Sequence, residues 1–126
     1  MAVDASAILA IVFEEPDSDD YLSKLMAASP IWISAVNWWE VQARIHGMYG
    51  AAGQEKAAAF MESIELLIEP VTIEQARIAL KAFEKYKGRP ARLNMGDCFA
   101  YALARAKDAA LLYKRSDFRH TDVRSA

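Results

Sequence analysis

Short apolar segments alternate with longer helical stretches along this chain, and this alternation constrains the fold more than any other feature. Strands that alternate with helices are typical of a parallel sheet covered by helices on both faces. In such sheets, ligand sites lie beyond the carboxyl ends of the strands. We therefore predict an α/β three-layer sandwich, with a central and mostly parallel sheet of about four to five strands flanked by helices.

The predicted elements follow from residue type and spacing. The strand-like segments begin at Val3 and occupy Pro30–Ile33, Glu69–Thr72 and Ala109–Tyr113. The helical segments run to Val12 after a turn at Asp4–Ser6, then over Pro16–Ala28, Val36–Tyr49, Gln54–Leu67, Ile73–Lys85 and from Asp97 to about Lys107. Ser6 and Ser34 are placed to cap helices, and Gly50 and Gly53 are expected to break the chain.

Length and composition predict a single domain spanning residues 1–126, since 54% of the residues are hydrophobic and can form a core without disulfides. Cys98 is the one cysteine, and its apolar neighbours predict a buried thiol in a reducing cytoplasm. The opening apolar run lacks a basic start and is interrupted by Asp4. Neither a signal peptide nor a membrane span is therefore expected.

The formal net charge of −2 hides a strong asymmetry between the two parts of the chain. Residues 1–76 carry 3 Lys/Arg and 12 Asp/Glu, whereas residues 77–126 carry 12 Lys/Arg and 5 Asp/Glu. This distribution fits an anionic partner on the later part, and it equally fits a solvated surface.

Acidic residues stand in unusually apolar surroundings at three places in the chain. Asp4 is the only ionisable side chain among the first thirteen residues, and Glu40 and Asp97 lie in similar settings. A carboxylate that loses hydration needs a partner, and Asp117 follows the last strand closely enough to join the group. Clustered carboxylates repel unless a cation neutralises them, and oxygen ligands without histidine favour Mg²⁺ or Mn²⁺. Such a site suggests phosphoryl chemistry with a metal-activated water.

Each acid also has a purely structural interpretation. Asp97 can complement a helix dipole, Glu40 can lie on an amphipathic surface, and Asp117 can be a solvated loop residue. Asp122 competes with Asp117 as the fourth acid. The basic loop before Asp97, with Arg89 and Arg92, can hold a phosphate backbone or can simply be solvated.

Other classes of site are poorly supported. The chain has no GxxxxGK[ST] loop and no GxGxxG, and its two histidines, His46 and His120, lack partners at metal spacing. A phosphoacceptor signalling domain would need an early acid pair and an aspartate after a middle strand, and neither is present.

At these residues the sequence resembles PIN-domain ribonucleases, specifically the VapC-type toxins of bacterial VapBC toxin–antitoxin pairs. The resemblance is carried by Val3–Ala10, Ile33–Val41, Pro90–Ala104 and Leu111–Val123, which together reach from one end of the chain to the other. It implies a PIN-like fold and a Mg²⁺- or Mn²⁺-dependent endoribonuclease. It also implies a homodimer and inhibition by a cognate VapB-type antitoxin.

The resemblance assigns the acidic metal site to Asp4, Glu40, Asp97 and Asp117, and polar supporting roles to Ser6 and Asn94. We assign RNA contacts to Arg89, Arg92, Lys114 and Arg115. One departure stands out, because Arg115 occupies a place where similar sequences usually have glycine. This change leaves open a catalytically weakened RNA- or antitoxin-binding module as the alternative function.

Overall fold

Four short parallel strands form the central sheet of the protein, for which a computed structural model describes all 126 residues. The strands are β1 (Ala2–Val3), β2 (Ile31–Ser34), β3 (Leu66–Glu69) and β4 (Leu111–Leu112), and their order across the sheet is β3-β2-β1-β4. All neighbouring pairs are parallel. The predicted α/β sandwich is therefore confirmed.

Five α-helices and one 3₁₀ helix connect and cover the strands. They are α1 (Ala5–Val12), α2 (Ser18–Ala27), α3 (Ala35–Ser63), α4 (Ile73–Tyr86), α5 (Met95–Ala106) and the 3₁₀ helix Ser116–His120. No helix combines the length and the apolar character that a bilayer crossing requires.

The sheet separates two hydrophobic cores, and the strands contribute to both. In β1, Ala2 packs into the core shared with α4 and α5, while Val3 packs into the core shared with α1, α2 and α3. Leu111 and Leu112 of β4 divide in the same way. Successive side chains of a strand point to opposite faces, and both faces of this sheet are covered by helices. β1 and β4 are therefore apolar at every position. Cys98 is buried in the first of these cores, as predicted.

The boundary between α3 and β3 differs from the sequence prediction. The helix predicted to reach Leu67 ends at Ser63, and the strand predicted at Glu69–Thr72 lies at Leu66–Glu69. Pairing with β2 explains the shift, because Leu66 to Glu69 align with Ile31 to Ser34. Pro70 then ends the strand, since proline has no N–H group to donate to the ladder.

A kink at Gly50 divides α3 into two parts. Gly50 has φ 64° and ψ −159°, a backbone conformation that glycine adopts readily. The predicted break at Gly50 is therefore confirmed. The predicted break at Gly53 is wrong, because Gly53 lies inside the resumed helix.

Candidate active site

The carboxyl end of β1 places Asp4 at the edge of the sheet and at the start of α1. Asp4 is only 3% exposed and caps α1, accepting a hydrogen bond from the Ser6 backbone N–H at 3.0 Å. The Ser6 hydroxyl also donates to Asp4, and Ser6 Oγ accepts from the Lys114 N–H at 3.0 Å. Ser6 was predicted to cap this helix, but Asp4 does so. Ser6 instead connects Asp4 to the segment that follows β4.

The first turns of α3 bring Glu40 to the same edge. Ser34 caps this helix as predicted, accepting from the Val36 N–H at 3.3 Å. The Asn37 amide donates to Glu40 Oε1 at 2.7 Å and to the Gly96 carbonyl at 3.0 Å. Asn37 is fully buried, and its own Oδ1 has no hydrogen-bond partner. It therefore fixes the position of Glu40 against α5.

Sequence reasoning missed Asn37 as a site residue. The signal was available, because Asn37 is a polar residue in the same apolar segment that drew attention to Glu40. Gly96 was also missed. A Cβ atom built on Gly96 would lie 2.5 Å from Glu40 Cδ, so only glycine leaves room for the carboxylate as it is placed.

The start of α5 holds Asp97 by a reciprocal pair of hydrogen bonds. The Asp97 N–H donates to Asn94 Oδ1 at 2.9 Å, and the Asn94 N–H donates to Asp97 Oδ2 at 3.0 Å. This arrangement is a capping box, which satisfies two backbone donors at the helix start. Asn94 thus positions Asp97 directly.

These side chains line one open cavity of about 800 Å³. Its wall contains the clustered acids Asp4, Glu40 and Asp97, and the apolar side chains Leu9, Phe13 and Trp39. The other polar residues of the wall are a further acid, Glu15, the uncharged Ser6 and Asn94, and the basic Arg44, Lys114 and Arg115. The cavity therefore offers both an acidic centre and cationic groups at its rim.

The three acids share an electrostatic environment that opposes ionisation. Burial raises the pKa of Asp4, with the Glu40 charge adding to the effect, and burial together with Asp97 raises the pKa of Glu40. Burial, with the charges of Asp4 and Asp117, raises the pKa of Asp97 to about 6. Each acid is thus destabilised by desolvation and by another acid of the group.

Asp117 lies beside this group, whereas Asp122 belongs to a different cluster. Arg115 donates to Asp117 at 2.7 Å, and Asp117 contributes to the raised pKa of Asp97. Asp122 accepts from the Tyr101 hydroxyl at 2.7 Å, near Arg105 at 3.7 Å. The geometry therefore favours Asp117 over Asp122 as the fourth acid.

The basic residues assigned to RNA contacts occupy different surroundings. Arg115 and Lys114 line the cavity, but the Lys114 ammonium is engaged by Glu15 and by Asp17, the latter at 2.8 Å. Arg89 and Arg92 are exposed on the loop between α4 and α5 and do not belong to the cavity wall. The structure therefore brings two of the four basic residues to the cavity wall, and only Arg115 to the clustered acids.

The donor chemistry of the three acids fits a hard divalent cation. Asp4, Glu40 and Asp97 each use one carboxylate oxygen in hydrogen bonds from the protein, while Asp4 Oδ1, Glu40 Oε2 and Asp97 Oδ1 make none. Free carboxylate oxygens are the ligands that Mg²⁺ and Mn²⁺ prefer. As the side chains are placed, no three of them converge as a ready chelating group. Binding of an ion would therefore require the carboxylates to move toward it.

Comparisons with known proteins identify the family of this chain. The PIN-domain family profile matches residues 1–124. Ribonuclease VapC28 of Mycobacterium tuberculosis is 37% identical over 129 residues, with 100% of this chain and 97% of the relative covered.

Two solved structures share the fold. The crystal structure of Mycobacterium tuberculosis VapC20, a Sarcin-Ricin loop cleaving toxin, gives a TM-score of 0.81 at 17% identity, covering 99% of this chain and 97% of the other. VapBC2 from Rickettsia felis, bound to a DNA fragment from its promoter, gives a TM-score of 0.78 at 16% identity, covering 98% and 94%. The near-complete profile match and the full-length relative show that this chain belongs to the PIN-domain family, among its VapC ribonucleases.

Proposed function

We propose that this ribonuclease is the toxin of a VapBC-type pair and hydrolyses RNA phosphodiester bonds in the cytoplasm, with Mg²⁺ or Mn²⁺ as its cofactor. The observation that carries the proposal is the group formed by Asp4, Glu40 and Asp97. These carboxylates are buried or half-buried in one cavity, oppose each other's ionisation, and each keep one oxygen free. Such a set is costly without a cation and well suited to one.

In this mechanism, Asp4, Glu40 and Asp97 hold the ion and Asp117 assists from the 3₁₀ helix. A bound divalent ion lowers the pKa of a water and stabilises negative charge on a phosphodiester. Ser6, Asn37 and Asn94 orient the three carboxylates through the hydrogen bonds described above. The acids would also orient the attacking water by accepting hydrogen bonds from it. As the water oxygen bonds to phosphorus and the bond from phosphorus to the leaving oxygen breaks, the water gives up a proton to solvent and the leaving oxygen takes one up from solvent.

RNA reaches this site through the open mouth of the cavity. In this proposal Arg44 and Arg115 on the cavity wall contact phosphate oxygens, and Arg89 and Arg92 on the loop before α5 contact the backbone outside the cavity. Phosphate contacts of this kind position a nucleic acid without reading its sequence. The excess of cations in residues 77–126 supports this orientation of the RNA.

Two protein partners belong to the proposal. A VapB-type antitoxin is supported by a structural neighbour solved as VapBC2, and the apolar wall residues Leu9, Phe13 and Trp39 offer it a surface beside the acids. A second copy of the chain is supported by exposed apolar side chains of α4, since Ile73 is 69% exposed and Leu80 is 58% exposed. Apolar surface of this kind marks protein contacts.

The second candidate is a PIN-fold binding module with weakened catalysis. The observation in its favour is that the Arg115 guanidinium lies next to Asp97, inside the acidic cavity. A cation in that position lowers the attraction of the site for a metal ion.

Cleavage of a panel of structured RNAs by antitoxin-free protein tests the proposal. Activity should require Mg²⁺ or Mn²⁺ and should vanish with chelator and in Asp4→Asn. Asp19→Asn, an exposed change of the same chemistry on α2, should keep full activity. No cleavage with either ion would favour the binding module, and equal activity of Asp4→Asn would contradict the proposed mechanism.

A further inference from the structure

Arg115 places one guanidinium nitrogen between two acids of the site. Its Nη2 atom lies 2.7 Å from Asp117 Oδ2 and 3.7 Å from Asp97 Oδ2. Nε of Arg115 also donates to Asp117 at 3.2 Å. The fork of the guanidinium is thus held by Asp117 and presented to Asp97.

The influence of Arg115 extends to the whole acidic group. Its charge lowers the pKa of Asp4, Glu40 and Asp97, against the larger effect of burial on each. The Asp97 side chain is only 4% exposed, and Arg115 lines the cavity itself. A solvated pair between Arg115 and Asp117 alone would neither lower the pKa of the other acids nor contact the buried Asp97. Arg115 is therefore part of the charge balance of the cavity.

The neighbouring cation does not share this position. The ammonium group of Lys114 contacts Glu15 and Asp17, and neither of these is one of the clustered acids. The other basic wall residue, Arg44, makes no ion pair. Arg115 is the one basic side chain that forms an ion pair with any acid of the site.

We infer that Arg115 is an internal counter-ion, which occupies the acidic centre in the metal-free protein and competes with the divalent ion for Asp97. This inference rests on the proposed function, because it concerns the same site. An ion held through the free Oδ1 of Asp97 would lie close to the guanidinium at Asp97 Oδ2, so the two cations would repel each other, while Asp117 retains Arg115 at the cavity wall. Arg115 thereby stabilises the clustered acids when no ion is bound and weakens metal affinity.

Calorimetric titration of the metal-free protein with Mn²⁺ near neutral pH tests the inference. Removing the cation in Arg115→Gln should tighten Mn²⁺ binding by about tenfold or more, a difference of about 1.4 kcal/mol. Arg115→Lys, which keeps the charge, should stay closer to the wild type. Arg119→Gln removes the same charge from an exposed position of the 3₁₀ helix that follows Arg115, so it should leave affinity unchanged.

Thermal unfolding supplies an independent readout. Metal-free Arg115→Gln should melt below the wild type, because the acids lose their counter-ion, and saturating Mn²⁺ should remove the difference. In the wild type, a parallel titration with diamagnetic Mg²⁺ should shift the Nε–H NMR signal of Arg115, and the shift should saturate with the dissociation constant that calorimetry gives for Mg²⁺. That measurement needs no variant.

The outcomes separate this inference from the proposed function. If the wild type and Arg115→Gln bind Mn²⁺ equally while Asp97→Asn does not bind, the metal site stands and the counter-ion inference is overturned. If the wild type binds no Mn²⁺ and Arg115→Gln does, the inference is supported in its strongest form. If neither binds, the proposed metal site itself fails, and the inference fails with it.

Discussion

Replacing Gly96 by alanine should destabilise the protein, although helix propensity predicts the opposite. Gly96 is buried near the start of α5, where alanine is favoured over glycine by about 1 kcal/mol. The new Cβ would lie 2.5 Å from Glu40 Cδ, so the carboxylate has to move. That movement breaks the 2.7 Å hydrogen bond from the Asn37 amide to Glu40.

The expected magnitude follows from these two opposing effects. A hydrogen bond to a charged group contributes about 1.5–3 kcal/mol, and the propensity gain offsets about 1 kcal/mol of its loss. Gly96→Ala should therefore lower the free energy of unfolding by roughly 0.5–2 kcal/mol. In a Glu40→Ala background no carboxylate is displaced. There the same change should raise the free energy of unfolding by up to about 1 kcal/mol.

Urea unfolding of the wild type, the two single variants and the double variant measures this coupling. Gly47→Ala is the matched control, because a Cβ atom at Gly47 on α3 meets no other atom within 4 Å. It should stabilise both backgrounds by about 0.5–1 kcal/mol. If Gly96→Ala changes the free energy of unfolding by the same amount, with the same sign, in the wild type and in Glu40→Ala, then the Glu40 carboxylate does not restrict position 96, and the reasoning is refuted.

Three further predictions concern the acids and their supports. The first follows from the pKa of Asp97, which is raised to about 6. The folded metal-free protein keeps a proton on Asp97 that the unfolded chain releases, so its melting temperature should rise as the pH falls from about 7 to about 5. Asp97→Asn should flatten this rise. Asp122→Asn weakens the hydrogen bond from the Tyr101 hydroxyl, so it should lower the free energy of unfolding in urea by about 1 kcal/mol. It should leave Mn²⁺ affinity unchanged, whereas Asp117→Asn should lower that affinity. Asn37→Ala should weaken Mn²⁺ binding by about tenfold in calorimetry, and an unchanged affinity would contradict its role in orienting Glu40.

The convergence of Asp4, Glu40 and Asp97 could be predicted from the sequence because parallel topology leaves few alternatives. An acid directly after a strand must lie at the carboxyl edge of the sheet, and Asp4 was assigned there from its neighbours alone. Asp97 followed from its place at the start of the helix that precedes the last strand, whereas Glu40 joined the group only if its face of the second helix looked inward. Position in a parallel α/β chain is thus informative even where side-chain geometry is unknown.

Other features depend on contacts between residues far apart in the chain. The amide of Asn37 bonds to the Gly96 carbonyl 59 residues away, and no local pattern encodes that pairing. The β3 boundary was misplaced because Leu66 and its neighbours suit a helix in isolation and become a strand by pairing with β2. The contact of Arg115 with Asp97 likewise required the placed side chain.

Two acids of the site also cap the N-termini of helices, and this second role determines which substitutions abolish activity without unfolding the protein. Asp4 caps α1, and Asp97 closes the capping box of α5. An asparagine at either position keeps an acceptor oxygen for the backbone while giving up the negative charge, whereas alanine removes both. A single Asp-to-Asn substitution at either position should therefore yield a folded protein that lacks ribonuclease activity and still binds its antitoxin. Where the complex of toxin and antitoxin is itself under selection, mutations that abolish toxicity are expected to be Asp-to-Asn exchanges more often than exchanges to alanine.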